Sequence, residues 1–343
     1  MPLIFRIIFF LFFSINCYSQ SGGQSLFKFL EIENSARSQA LGGYSSAIFD
    51  NDVSLSLMTP SLLNQSMNNE LSFNVTDYFS DIKFLSFTYA KSINKTDVLG
   101  FGIRYFDYGN FESFDQMGYI TGNFNAKDQV FSVGYSKTLN QYLILGVNVN
   151  LINSIYDTYS SNAISSNIST TYNNIENNLT ASLLISNFGR QLKKYNSNND
   201  IIECNVSISV SKILKYLPFR YHITYNYLNK FDIKSSYNLT TQTNIETGEI
   251  EVKDESLAKT FLRHIVIGGE LNPFKKNFFL RGGFNFQRRF DLVTNTQPLM
   301  VGFSWGVGFR VKKIYFDYSR SSYHLSGNTN NFSIATNLTT FGI

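Results

Sequence analysis

From residue 70 onward, apolar and polar side chains alternate with a period of two over stretches of about ten residues, the pattern of strands with one apolar and one polar face. Leu99, Phe101, Ile103 and Tyr105 fall on one side of such a stretch, and Gly100, Gly102 and Arg104 on the other. The split recurs with Phe219, Tyr221, Ile223, Tyr225 and Tyr227 against Arg220, His222, Thr224 and Asn226. It recurs again with Val301, Phe303, Trp305, Val307, Phe309 and Val311 against Gly302, Ser304, Gly306, Gly308 and Arg310. Strands of soluble sandwiches also alternate, but they run to about five or six residues. Those expected here are longer, and tyrosines gather near their ends as they do at membrane interfaces. The expected fold is therefore all-β, a transmembrane antiparallel barrel.

Thirteen strands are readable: 70–76, 82–90, 98–106, 129–137, 142–156, 177–187, 202–211, 219–228, 262–271, 278–289, 299–311, 314–322 and 330–342. Single-chain bacterial barrels have an even number and keep their short turns on the periplasmic side. Counting from the N-terminus puts the joints 91–97 and 138–141 in the periplasm and the long loops 107–128 and 157–176 outside. Counting back from the C-terminus puts 312–313, 272–277 and 212–218 in the periplasm and 229–261 outside. The counts agree only if one more strand lies between 187 and 202. Arg190–Tyr195, entered by a tight turn at Asn187-Phe188-Gly189, is the candidate and brings the expected total to fourteen.

The chain divides into an expected signal peptide at 1–19, an N-terminal plug or cap at 20–69, and the barrel at 70–343. The signal peptide rests on Arg6, the apolar run Ile7–Phe13 and a small-residue end, with Cys17 and Ser19 at −3 and −1 of a cleavage before Gln20. The rival is a lipoprotein signal with Cys17 lipidated, for which Ser14-Ile15-Asn16 makes a poor lipobox. The apolar run is well short of the ~20 residues a membrane helix requires. In 20–69, the small-residue stretch from Ser35 to Gly43 suits close packing against other backbone.

Composition sharpens this picture. Aromatic residues make up 16% of the chain and charged residues only 16%, with 33 Phe, 21 Tyr and 1 Trp. Mean hydropathy of −0.11 looks soluble, yet two alternating faces average to near neutral in a membrane barrel as well. The net charge of +4 is spread along the chain, which gives no footprint for nucleic acid. Once Cys17 is removed, Cys204 has no disulfide partner, and no Cys/His group has metal-ligand spacing.

Enzymatic readings find little support. Ser-x-x-Lys occurs at Ser80–Lys83, Ser92–Lys95 and Ser209–Lys212, but in or beside strands, where Ser and Lys do not stack as one helical turn would stack them. Asp50 and Asp52 could ligate a cation, but the rest of a calcium loop is missing and turn capping is the simpler role. His222, His264 and His324 are widely separated, the first two read as lumen-facing polar residues. Arg104, Arg220, His264, Glu270, Arg281, Arg289 and Arg310 all fall on polar faces and should point into the barrel, because an arginine facing lipid at mid-depth costs about 2–4 kcal/mol. They either line a conducting lumen or fill it with internal ion pairs; the second is the expectation. No catalytic, cofactor or metal site is expected.

The C-terminal half carries a resemblance. LRHIVIGGEL from Leu262, FLRGGFNFQRR from Phe279, GFSWGVGF from Gly302 and NFSIATNL from Asn331 resemble the PorV/PorQ family, FadL-like fourteen-stranded outer-membrane proteins of the type IX secretion system of Bacteroidota. FLEIENSARSQALGG from Phe29, Asn187-Phe188-Gly189 and LPFR from Leu217 are similar too, while Thr59-Pro60 stands where the family commonly has Asn-Pro. The resemblance implies a non-catalytic part in a surface complex with PorU, PorV and PorZ homologues that processes cargo and attaches it to the cell surface. Loops 107–128, 157–176 and 229–261 would then hold a PorZ-like protein. The alternative is a FadL-like transporter of hydrophobic small molecules, which predicts an open apolar pocket under the plug.

Overall fold

The computed structural model describes residues 25–33, 35–78, 82–195, 201–234, 241–243, 250–252, 255–274, 277–292, 300–324 and 327–342. The expected signal peptide with Cys17, Ser80 and the side chain of His324 lie outside these residues. Fourteen strands close into one antiparallel barrel. They are β1 (Glu70–Asp77), β2 (Lys83–Ser92), β3 (Asp97–Phe114), β4 (Ile120–Thr138), β5 (Leu143–Tyr156), β6 (Tyr159–Asn174) and β7 (Leu179–Lys193). The second half comprises β8 (Asn205–Ile213), β9 (Phe219–Tyr225), β10 (Ile265–Leu271), β11 (Phe278–Asn285), β12 (Phe303–Val311), β13 (Ile314–His324) and β14 (Gly327–Asn337). Neighbours in sequence pair throughout, and β14 closes on β1 from Asn337↔Glu70 to Asn330↔Asp77, so no edge is left unpaired. No described helix is long and apolar enough to cross a membrane.

The total of fourteen is as expected, but the strand missing from the reading lies elsewhere. It is β6, over residues assigned to an external loop, and Arg190–Lys193 is the far end of β7. The Asn187-Phe188-Gly189 turn is a bulge inside β7, where the register against β6 shifts between Ser166 and Ile168. Asn187 takes a φ of 60°, and its N–H donates to Asn167 Oδ1 at 2.9 Å. β6 escaped notice because Ser161, Ser165, Asn167, Ser169 and Thr171 face the lumen while Asn162, Ser166 and Thr170 alternate with the outward Ile164 and Ile168. Loop 107–128 is mostly strand as well, β3 and β4 running on as a hairpin past the bulge after Asp107. Parity survives both corrections: the joints 93–96, 139–142, 175–178, 214–218, 272–277 and 312–313 share one end and are short, which makes that end periplasmic.

Burial is inverted relative to a soluble protein. Phe131 is 48% exposed and the adjacent Ser132 4%; Trp305 is 45% exposed and Ser304 4%. The exposed belt includes Phe73, Phe87, Phe101, Ile103, Val133, Val149, Leu151, Phe303 and Ile334. Such a belt is stable against acyl chains and costly against water.

Residues 27–33 and 35–67 run through the barrel interior as short turns: the helix α1 (Ala36–Ala40) and 3-10 turns at Lys28–Glu31, Val53–Leu57, Pro60–Leu62 and Gln65–Met67. Irregular backbone at membrane depth is tolerated only when protein satisfies its polar groups. Here the lumen-facing Ser and Asn side chains do so. Ser304 Oγ donates to Ala40 O (3.0 Å), Ser211 Oγ to Ala47 O (2.6 Å), Asn148 Nδ2 to Leu57 O (2.7 Å) and Ser136 Oγ to Leu63 O (2.7 Å). Ser333 and Ser169 accept from the backbone N–H of Ala36 and Ser61. The abundance of serine and asparagine thus has a structural cause beyond turn chemistry.

Candidate functional site in the barrel lumen

Three of the seven charged or imidazole residues expected to face the lumen meet in one ionic cluster. Arg220 on β9, Glu270 on β10 and Arg281 on β11 are neighbours through the registers Arg220↔Glu270 and Glu270↔Arg281. The centre of the cluster is Arg37 of α1. Its guanidinium donates to both oxygens of Glu270 at 3.0 Å, to Asp50 at 3.1 and 2.7 Å, and to Asp52 at 3.3 Å. Arg220 donates to Asp50 at 2.9 Å, and Arg281 to Glu270 at 2.7 Å and to Asp317. Burial works against ionised Asp50, but Arg37 and Arg220 hold its carboxyl well below the usual range; Asp52, with burial, Asp50 and Asp317 against it and Arg37 and a hydrogen bond from Ser54 in favour, is pushed up. Both aspartates also cap turns, Asp50 accepting from Asp52 N–H and Asp52 from Ser54 N–H. They serve arginines and caps, and among the described residues no His/Cys/Asp/Glu group could hold a metal.

The other expected residues are placed differently. Arg104 is buried on the lumen face of β3, donating to Leu30 O at 3.3 Å. Arg310 points to the periplasmic mouth, exposed and 4.8 Å over the Tyr315 ring. His264 and Arg289 are not on strands at all: His264 caps the helix α2 (Leu257–Arg263), and Arg289 lies on the helix α3 (Phe286–Leu292) that follows β11. His264 sits between Asn226 O (2.7 Å) and Phe231 O (3.0 Å) and stacks on Tyr225. Tyr227, read as facing lipid, is buried beyond the end of β9 with its hydroxyl on Glu31 at 2.9 Å. Ser209 and Lys212 lie on opposite faces of β8, Ser209 bonding Thr224 at 2.8 Å. Arg37 and Asp317 were missed as ionic residues. Asp317 was traceable through its alternation with Ser319 and Ser321, whereas Arg37 sits in a stretch whose pattern speaks only of close packing.

Toward the extracellular end the lumen is filled with apolar side chains: Phe27, Phe29 and Leu30 pack on Phe84, Phe106, Val130 and Ile152. Toward the periplasm a cavity of about 630 Å³ remains, walled by the ionic cluster and by Glu70, Ser72 and Asn74 of β1. The wall itself is thinnest at four glycines. Gly268 faces Gly283 on the lumen side and Gly269 faces Gly282 on the lipid side, so the barrel there is one backbone thick. The Leu41–Gly42 backbone rests on the inner pair, where a Cβ on Gly283 would lie 2.2 Å from Leu41 C. The outer pair opens a groove of about 480 Å³ bounded by Phe219, Tyr221, Ile223, Phe284 and Phe303.

No protein-family model and no curated protein sequence matches the chain. Solved structures do. The toluene transporter TodX of Pseudomonas putida aligns over 89% of this chain and 96% of its own at 12% identity, with a TM-score of 0.52. The fold is like that of the TodX barrel. A Pseudomonas aeruginosa FadL homologue (9% identity, TM-score 0.47, 88% of this chain and 98% of the other) and the CymD monoaromatic hydrocarbon channel (12%, 0.49, 91% and 97%) are more distant. At such identities the likeness is one of architecture, that of an outer-membrane barrel.

Proposed function

We propose that this chain is a closed outer-membrane barrel that holds a surface partner, an outer-membrane component of the type IX secretion attachment complex that anchors a PorZ-like protein for cargo processing and attachment. One observation carries the closed half of this reading: residues 35–67 occupy the lumen with their backbone bonded to Ser and Asn side chains of the wall. That segment acts as a plug. The partner half rests on the sequence resemblance, densest over 262–289, and on the β3–β4 hairpin, whose Phe114, Met117, Tyr119 and Ile120 are exposed beyond the register shift. PorU and PorV homologues complete the complex, residues 1–19 are cleaved on export, and the chain has no catalytic role. The test is a mild-detergent pull-down on the tagged chain, expected to recover PorU, PorV and PorZ homologues, beside a deletion strain expected to leave cargo unattached. Normal cargo display in that strain overturns the reading.

A second reading, transport of a hydrophobic small molecule, has the fold comparison on its side, since the TodX structure is described as a toluene transporter. The groove over Gly269 and Gly282 also favours it, as a lateral way through a thin wall. The cavity left in the lumen weighs against it, because its walls carry the ionic cluster instead of the apolar lining such a pocket needs. The deletion strain separates the two: loss of hydrophobic-solute uptake with normal cargo display supports transport.

A further inference from the structure

We propose that the cavity at the periplasmic mouth binds a cationic, donor-rich group, a guanidinium or ammonium, through Glu70, Ser72 and Asn74. The three alternate on β1 and therefore share the lumen face, where all are buried, at 3%, 1% and 1% exposure, along the wall of the 630 Å³ cavity. Ser72 Oγ and Asn74 Oδ1 have no hydrogen-bond partner among the described residues. Glu70 accepts only from Asn337 Nδ2 at 3.0 Å, and no described lysine or arginine forms an ion pair with it.

The charges around the cavity leave this carboxylate over. Four arginines face five carboxylates. Arg37, Arg220 and Arg281 are committed to Asp50, Asp52, Glu270 and Asp317. Arg310 lies over Tyr315 with its Nε on Lys312 O at 3.2 Å, and is the cavity's own competitor for Glu70. A buried carboxylate without a counter-charge and two buried polar atoms without partners each carry a desolvation cost. A guanidinium or ammonium at Glu70 relieves the first by charge-assisted bonds, and donors reaching two and four residues further along the strand serve Ser72 and Asn74 as neutral acceptors. The short strand joints place the mouth in the periplasm, so the cation arrives there as a free amine or as an arginine or lysine side chain of a periplasmic polypeptide. This inference holds under either functional reading.

The test uses the mature full-length chain in nanodiscs and isothermal titration with agmatine, with blocked Gly-Arg-Gly peptide, and with inorganic phosphate. Agmatine or the peptide is expected to bind saturably; preference for agmatine marks a free amine as the source, and preference for the peptide a chain-borne side chain. Glu70→Gln is expected to weaken binding at least tenfold. Asn74→Asp, which adds a second carboxylate, is expected to tighten it severalfold and decides the matter if Glu70→Gln does not fold. No saturable binding of either cation, unchanged affinity in the variants, or displacement of the cations by phosphate overturns the proposal.

Discussion

Replacing Arg37 by alanine is expected to remove about 3–5 kcal/mol of barrel stability, the cost of breaking a buried ion pair from one side. Its guanidinium makes five hydrogen bonds to three carboxylates, and its side chain is 8% exposed. The three are not left equally bare. Asp50 keeps Arg220, and Glu270 keeps Arg281 and Arg220, but Asp52 has no other cation. The loss should therefore fall near the lower figure and be concentrated at Asp52. Adding Asp52→Asn to the alanine variant should recover part of it, with a coupling of about 0.5–3 kcal/mol. The assay is urea unfolding in lipid vesicles followed by emission of Trp305, the only tryptophan, which faces lipid in the folded barrel. A loss below about 1 kcal/mol, or a double variant weaker than the sum of the single ones, would show that the cluster does not anchor the N-terminal segment, since a buried unpaired carboxylate must cost more.

Gly283→Val places a Cβ 2.2 Å from Leu41 C and 2.3 Å from Gly42 N, so the Leu41–Gly42 backbone must leave the wall; under the proposed plug role, ion conductance in planar bilayers, near zero for the parent, is expected to rise while heat-modified mobility on gels stays that of a folded barrel. Acid should loosen the extracellular helix α2. Burial opposes ionisation of Glu255, but hydrogen bonds from Arg263 (2.7 and 3.0 Å) and Lys259 hold its carboxyl down to about 2, below its ordinary 4.5. The folded-state value is depressed, so the stabilisation is complete above about 4.5 and lost as pH falls through about 2. Pepsin cleavage around 255–264 should rise across that window, and Glu255→Gln should be cut at the upper pH as readily as the parent at the lower.

Alternation alone determined that this is a membrane barrel, because a period-two pattern can satisfy acyl chains and a polar interior only as strands, and only a closed sheet leaves no unpaired edge in lipid. It also placed Arg104, Arg220, Glu270 and Arg281 inward, since parity along a strand needs no knowledge of its neighbours. What it could not locate was β6, whose outward face carries Asn162, Ser166 and Thr170 and so shows too little contrast. The bulge at Asn187 looked like a turn because the two share backbone angles and differ only in whether a partner strand continues alongside. The convergence of Asp50, Asp52 and Glu270 on Arg37 was decided by tertiary structure alone: 233 residues separate Arg37 from Glu270, and the folded barrel brings them to 3.0 Å. Such a contact depends on where the N-terminal segment lies inside the closed barrel, and alternation along a strand carries no information about that.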